Sequence, residues 1–335
     1  MNAGIKAVGY YLPEKLLDND MIVDMIHTWS SEKIYNKTGI RCRHVAADDE
    51  TSLDMGYKAA VRLIEDEKIS VEDIDLLIFV TQLPDHLLPA NACILHGMLG
   101  MGPDTAAFDI SLGCSGFVYA LSVAKSMIES ETAHNALLIT ADTLCRYVND
   151  KDRSLKTLIG DGASATLVSR TETGGIGSFV LGTEGAGKNS LIIPAGGEKM
   201  QRSQQTSAET ADENGNVRSQ NDLYMNGSEV FDFSLRVVPA TVAELLERSA
   251  IKLDDIDLFV FHQANMFMLS TLKTVLGISD DRFYVNIENV GNTASSSIPI
   301  ALSMAMAEGK LRKGMRVMIV GFGVGLSWGG TIIDF

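Results

Sequence analysis

Cys114 stands in Ser111-Leu-Gly-Cys-Ser-Gly-Phe117, with glycines at 113 and 116. It lies between the apolar run Ala106–Ile110 and a long apolar segment reaching Ile128. That order predicts a strand, a sharp turn and a helix, with the thiol at the helix start. Unpaired N–H groups and the helix dipole favour a thiolate there, lowering its pKa below the ~8.5 of a free thiol and making it nucleophilic. The pattern is that of a hydrolase nucleophile elbow with sulfur replacing oxygen. A small core thiol is the competing reading, and the residues around Cys114 leave both open.

Two further segments offer partners for such a thiol. The apolar run Leu258–Phe261 turns abruptly polar at His262-Gln-Ala-Asn265. Polar groups at the C-terminal end of a buried strand are where ligands bind in α/β sheets. Asn292 sits in a polar loop, Asn289-Val-Gly-Asn-Thr293, and the Gly-rich stretch Gly321–Gly330 closes the last strand. Backbone N–H groups from that stretch are candidates for an oxyanion site.

An internal repeat positions these residues. Val71-Glu-Asp-Ile-Asp-Leu76 and the apolar run after it return about 180 residues later as Leu253-Asp-Asp-Ile-Asp-Leu258. Phe108–Ile128 matches Val285–Glu308, sharing Ala-Leu-Ser at 120–122 and 301–303, and Ala136–Asp142 matches Val317–Gly323. Three pairs in one order at one offset indicate duplication. Each copy alternates strands and helices, which predicts a largely parallel sheet with helices on its faces. The Asn292 loop becomes the counterpart of the Cys114 loop, and function is expected where the strand ends of both halves meet. Gln201–Asn221 has almost no large apolar residue and reads as an exposed, mobile loop, either a lid or a tolerated insertion.

The chain also carries Thr38-Gly-Ile-Arg41, Asp109 ahead of Cys114, Gly160-Asp-Gly-Ala163, Met225 ahead of Glu229-Val-Phe231, Gly291-Asn-Thr293 and Gly321-Phe-Gly323. With these it resembles the β-ketoacyl-acyl-carrier-protein synthase III family of the thiolase superfamily over nearly its whole length. The resemblance implies an α/β, five-layered α-β-α-β-α thiolase-like fold from two similar halves, drawn at 1–175 and 176–335, with the polar insertion at about 199–222. It implies a catalytic Cys–His–Asn set carried on Cys114, His262 and Asn292, and an oxyanion hole from the N–H groups of Cys114 and Val324. Cys114 would take an acyl group from acyl-CoA or an acyl-carrier protein. Malonyl-acyl-carrier protein would then decarboxylate, its enolate held by neutral His262 and Asn292, and condense with the acyl group, initiating fatty acid biosynthesis. Lys33, Lys37, Met225, Phe231, Asn265 and Leu88 are the implied substrate contacts, Leu88 lying near the acyl tunnel of a homodimer partner. Neither cofactor nor metal is implied. The alternatives are a specialised acyltransferase or condenser of secondary metabolism, and a non-catalytic partner subunit.

Three departures from the family pattern bear on substrates. Lys33 and Lys37 hold places where the family stacks the CoA adenine between an aromatic ring and a guanidinium, so weak, salt-dependent CoA binding is expected. Phe267 replaces a basic residue that helps dock the carrier, and the inserted acidic loop is expected near the mouth of the site; Val324, in the expected oxyanion hole, also stands where the family normally has glycine.

Composition removes other classes. With 28 Lys and Arg against 43 Asp and Glu, the net charge of −15 repels phosphate backbones, so nucleic acid is not an expected partner. No run of about 20 uncharged apolar residues predicts a membrane helix, and the N-terminal residues lack signal-peptide features. Four scattered cysteines and five histidines besides His262 show no ligand spacing, which predicts reduced thiols, a cytoplasmic setting and no metal site. Gly182-Thr-Glu-Gly-Ala-Gly-Lys188 imitates a phosphate loop but lacks the following Ser/Thr and the helix.

Overall fold

A computed structural model describes residues 2–335. The first half runs β1 (Asn2–Tyr11), β2 (Lys15–Asp18), α1 (Asn19–Ile26), α2 (Ser31–Thr38), β3 (Cys42–Val45), α3 (Ser52–Glu67), β4 (Leu76–Val80) and α4 (Asn91–Met98), followed by β5 (Ala106–Ile110), α5 (Gly116–Glu129), β6 (Asn135–Asp142), α6 (Arg153–Lys156) and β7 (Gly162–Thr171). The second runs β8 (Gly175–Thr183), β9 (Leu191–Ile192), β10 (Thr210–Ala211), β11 (Val217–Arg218), β12 (Tyr224–Met225) and α7 (Gly227–Ser249), then β13 (Leu258–Phe261), α8 (Met266–Leu276), α9 (Ser297–Ala307), β14 (Arg316–Gly323) and β15 (Ser327–Asp334).

Two large sheets form, with strand orders β1-β7-β6-β4-β5 and β13-β14-β15-β8, beside three two-stranded ones. The large sheets match strand for strand, the place of β5 being taken by the bridge of Phe283 to Phe259 beside β13. The duplication is therefore structural. The expected largely parallel sheet is not found: β4 is parallel to β5 and β6, and β13 to β14, but β7, β15, β1 and β8 all pair antiparallel. An apolar run shows that a strand is buried, not which way it points.

All five residues of β4 are buried, as a strand covered on both faces must be. Helices α5 and α9 lie between the sheets, and Phe117, Leu121, Ile298 and Leu302 join the strands of both sheets in one core. Helix α3 covers the outer face of the first sheet, and α7 and α8 that of the second. These are the five layers of the thiolase-like arrangement. They bring the C-terminal ends of β4, β6, β13 and β14 to the start of the two central helices.

The polar insertion is exposed along most of its length, as expected, and carries hydrogen bonds and ion pairs of its own. Strand β10 pairs with β11, Arg218 forms ion pairs with buried Asp152 and with Asp212 at 3.0 Å, and Lys151 meets Glu209 at 2.8 Å. Buried Thr206 bonds Asn221 at 2.8 Å. Its stability rests on matched polar groups rather than apolar burial, which a count of apolar residues cannot register. No helix of the described residues is long and apolar enough to cross a membrane.

Candidate active site

Cys114 follows β5 and immediately precedes Ser115, the N-cap of α5. The glycines of the turn and of the facing end of β14 leave no room for side chains. A Cβ on Gly116 would stand 2.5 Å from the Val80 side chain, and one on Gly323 would stand 2.8 Å from Cys114 Sγ. Asp109 braces the turn from behind, its carboxylate accepting the Asn91 and Ala92 N–H groups at 2.8 and 2.7 Å at the start of α4. That is a favourable place for negative charge.

The thiol is buried. Burial, with the Asp142 carboxylate adding to it, pushes Cys114 up to about 12, although the N–H groups of Val324 and of Cys114 itself favour the thiolate. The helix-start effect is thus present but outweighed, and the sequence expectation of a lowered thiol pKa is corrected. Alkylation of Cys114 by iodoacetamide, followed by peptide mapping from pH 6.5 to 10, is expected to accelerate about tenfold per pH unit without levelling off, because the thiolate fraction rises that way below the pKa. A plateau near neutral pH would show the helix start prevailing over burial.

His262 extends β13 by one residue, its N–H donating to Val320 O at 2.9 Å. Its ring lies edge-on to Phe322, and Nδ1 is 2.6 Å from Ser297 Oγ. Burial lowers its pKa to about 3, so the imidazole is neutral throughout the ordinary pH range. The Asn292 loop is laced to the first half: Asn292 N–H donates to Leu158 O at 2.9 Å, and Gly160 N–H to Asn292 O at 3.0 Å. The Asn292 amide oxygen accepts Ala294 N–H at 3.0 Å, and its NH2 reaches Ala264 O at 3.4 Å.

Cys114, His262 and Asn292 all line one cavity of about 430 Å³, together with Met225, Phe231 and Asn265. Cys114, Asn292 and Met225 also face an apolar cavity of about 200 Å³ walled by Leu144, Leu155, Ile159 and Leu223. Val324 sends its side chain into that second cavity, against Gly113, which leaves its N–H directed toward the sulfur. A thiol thus stands where a mouth with polar groups meets an apolar pocket. A larger cleft of about 830 Å³ lies elsewhere, lined by Lys6, Asp257, Arg316 and Asp334; it holds no cysteine or histidine.

The other sequence-chosen residues divide. Asn265 lines the cavity but spends its side-chain oxygen capping α8, accepting Met268 N–H at 2.9 Å. Phe231 stacks on Phe267 at 5.3 Å between ring centres. Leu88 is 82% exposed and lines neither cavity. Lys33 and Lys37 also lie outside both, each with Nζ 5.4 Å from the centre of the Trp29 ring, which Arg153 approaches at 5.5 Å. Trp29 and Arg153 were not singled out from the sequence. A signal existed in Trp29 lying four residues before Lys33, but its nearness to Arg153 is purely tertiary.

Asp142 was also missed. It is buried at the end of β6 and accepts Gln82 N–H at 3.0 Å, the Thr81 hydroxyl at 3.2 Å and the Ser295 hydroxyl at 2.5 Å. Burial pushes its carboxyl up to about 6. It ends a buried apolar run just as His262 does, so the same sign would have found it. Among the described residues no cluster of three or more His, Cys, Asp or Glu is arranged to hold a metal, and all four cysteines are free.

Comparison with known proteins gives concordant matches. The family model of 3-oxoacyl-(acyl-carrier-protein) synthase III matches residues 108–185, and that of its C-terminal part matches residues 246–335. A β-ketoacyl-(acyl-carrier-protein) synthase III of Clostridioides difficile is 40% identical over 99% of this chain and 98% of its own length. One from Caldanaerobacter subterraneus subsp. tengcongensis is 39% identical with the same coverage. A crystal structure described as 3-oxoacyl-(acyl-carrier-protein) synthase III superposes over 100% of both chains with TM-score 0.98 at 44% identity.

Proposed function

The chain belongs to the 3-oxoacyl-(acyl-carrier-protein) synthase III family, and from that premise we propose that it is a condensing acyltransferase of fatty acid biosynthesis initiation, joining an acyl group on Cys114 to malonyl-acyl-carrier protein. The observation that carries the assignment of roles is the convergence of Cys114, His262 and Asn292 on one cavity, with Cys114 and Asn292 also lining an apolar pocket beside it. The sulfur attacks the carbonyl carbon of an acyl thioester, and its proton leaves with the departing thiol. The acyl chain lies in the apolar pocket, and the tetrahedral oxyanion accepts from the N–H groups of Cys114 and Val324. Malonyl-acyl-carrier protein then enters the larger cavity. Its carboxylate departs as CO2, and the electron pair of the broken C–C bond moves onto the thioester as an enolate. His262 and the Asn292 amide donate to that oxygen. The enolate carbon attacks the acyl-cysteine, the new C–C bond forms, and Cys114 leaves and regains a proton.

The thioester carbonyl is the only electron sink these steps require, so neither metal nor cofactor takes part. Leu87 and Leu88 stand on a loop, 97% and 82% exposed among the described residues. A second copy covers them in a homodimer, with Leu88 closing the partner's acyl pocket. A cytoplasmic location accords with four free cysteines and with CoA and carrier-protein substrates.

Donor binding follows from the cluster around Trp29. Three cations, Lys33, Lys37 and Arg153, converge on one ring, so attraction to the phosphates of CoA dominates, and Trp29 offers an aromatic face that the two lysine positions lack. Steady-state condensation is to be measured with matched acyl-CoA and acyl-carrier donors at low and moderate salt. A β-ketoacyl product is expected, with an acyl-CoA KM rising several-fold between about 50 and 300 mM salt as screening shortens to under 10 Å. A salt-insensitive KM would remove the cluster from donor binding, and no product with any donor would overturn the function.

A further inference from the structure

Three successive serines open the last central helix, and each bonds a different buried group. Ser295 donates to Asp142 at 2.5 Å. Ser296 accepts from Thr140 at 2.8 Å and donates to Gly162 O at 3.1 Å. Asp142, Thr140 and Gly162 all belong to the first half, so the loop's backbone is pinned to that half immediately before Ser297. The Ser297 hydroxyl is thereby fixed in place, 2% of the residue exposed, with Oγ 2.6 Å from His262 Nδ1. Among the described residues that hydroxyl has no other hydrogen-bond partner.

We infer that Ser297 is a positioning residue that selects the tautomer of His262, donating its O–H to Nδ1 so that the single imidazole proton resides on Nε2. A neutral imidazole has one donor nitrogen and one acceptor nitrogen. In the alternative tautomer Nδ1–H would donate to Oγ, leaving the buried hydroxyl hydrogen without an acceptor, an arrangement that proteins avoid. With Ser297 donating, every hydrogen on this side of the ring is matched. Nε2, which has no hydrogen-bond partner among the described residues, then carries N–H on the ring that lines the cavity with Cys114 and Asn292. His262 is thus set as a hydrogen-bond donor rather than a base toward Cys114. The kinetic consequence rests on the enolate-stabilising role proposed above; the tautomer itself does not.

The test uses the full-length protein labelled with nitrogen-15 at histidine. In the wild type, Nδ1 of His262 is expected at the shift of an unprotonated ring nitrogen and Nε2 at that of a protonated one. Ser297→Ala is expected to give a tautomer mixture and about a 10-fold loss of malonyl-carrier decarboxylation, the lower end for removing a group that orients a histidine. Acyl transfer to Cys114 should be unchanged, and Ser297→Thr, which keeps the hydroxyl, should restore both readouts. A wild type protonated at Nδ1, or a Ser297→Ala protein with unaltered tautomer and decarboxylation, would overturn the inference. A wild type that shows the Nε2–H form, lost in Ser297→Ala, but decarboxylates nothing would support it while refuting the enolate role.

Discussion

Cys114→Ser is expected to lose condensation by about 10⁶-fold, the scale seen when a hydrolase nucleophile is removed. The substitution is nearly isosteric and the turn is held by glycines and by Asp109, so the fold should survive with its thermal midpoint within a few degrees of wild type. The loss is chemical. A serine hydroxyl ionises far less readily than a thiol, and nothing in the site is arranged to take its proton, since the Nδ1 of His262 is engaged by Ser297. Product formation with acyl-CoA and malonyl-acyl-carrier protein, measured beside circular dichroism, checks it. Folded protein retaining more than about 1% of activity would be incompatible with covalent catalysis at this residue.

His262→Ala and Asn292→Ala are each expected to lower malonyl decarboxylation by roughly 10²–10³-fold, the cost of one donor to a developing oxyanion. Both variants should still accept an acyl group on Cys114, because attack on the first thioester relies on the sulfur and the backbone N–H groups. The two half-reactions are separated by following CO2 release and acyl-enzyme formation independently. Lost acylation with intact decarboxylation would reverse the roles. Since the imidazole is neutral down to about pH 3, acidification from pH 8 to 6 should not titrate His262 in the wild type. A rate change in that window would come from other groups: the thiolate fraction of Cys114, which falls as pH falls, and buried Asp142, whose carboxyl burial raises to about 6.

Much of this was legible in the sequence, and the failures share physical causes. Three pairs of repeated segments disclosed the two halves because each half must bury similar strands, and the same runs located Cys114 and His262 where apolar sequence breaks into polar. Strand direction was not legible, because β7 and β15 return antiparallel with the same apolar character as their neighbours. The helix-start argument at Cys114 identified a real effect on the thiol, but its size relative to burial depends on the sheets and helices packed around the turn. Residues that act through contacts across the fold carried no local mark: Ser297 lies 35 positions from His262, and Arg153 is 124 positions from Trp29. The loop at 201–221 is exposed as its composition predicts, but the contacts that order it were not legible. Its ion pairs and hydrogen bonds join residues that composition alone assigns to solvent.

The central claim, that Cys114 carries the acyl group, is tested most directly by intact-mass measurement after incubation with acyl-CoA, followed by peptide mapping. The expected result is a mass increase of one acyl group per chain, located on the peptide containing Cys114 and discharged when malonyl-acyl-carrier protein is added. An unmodified chain, or an adduct on Cys42, Cys93 or Cys145 with Cys114 free, would contradict it.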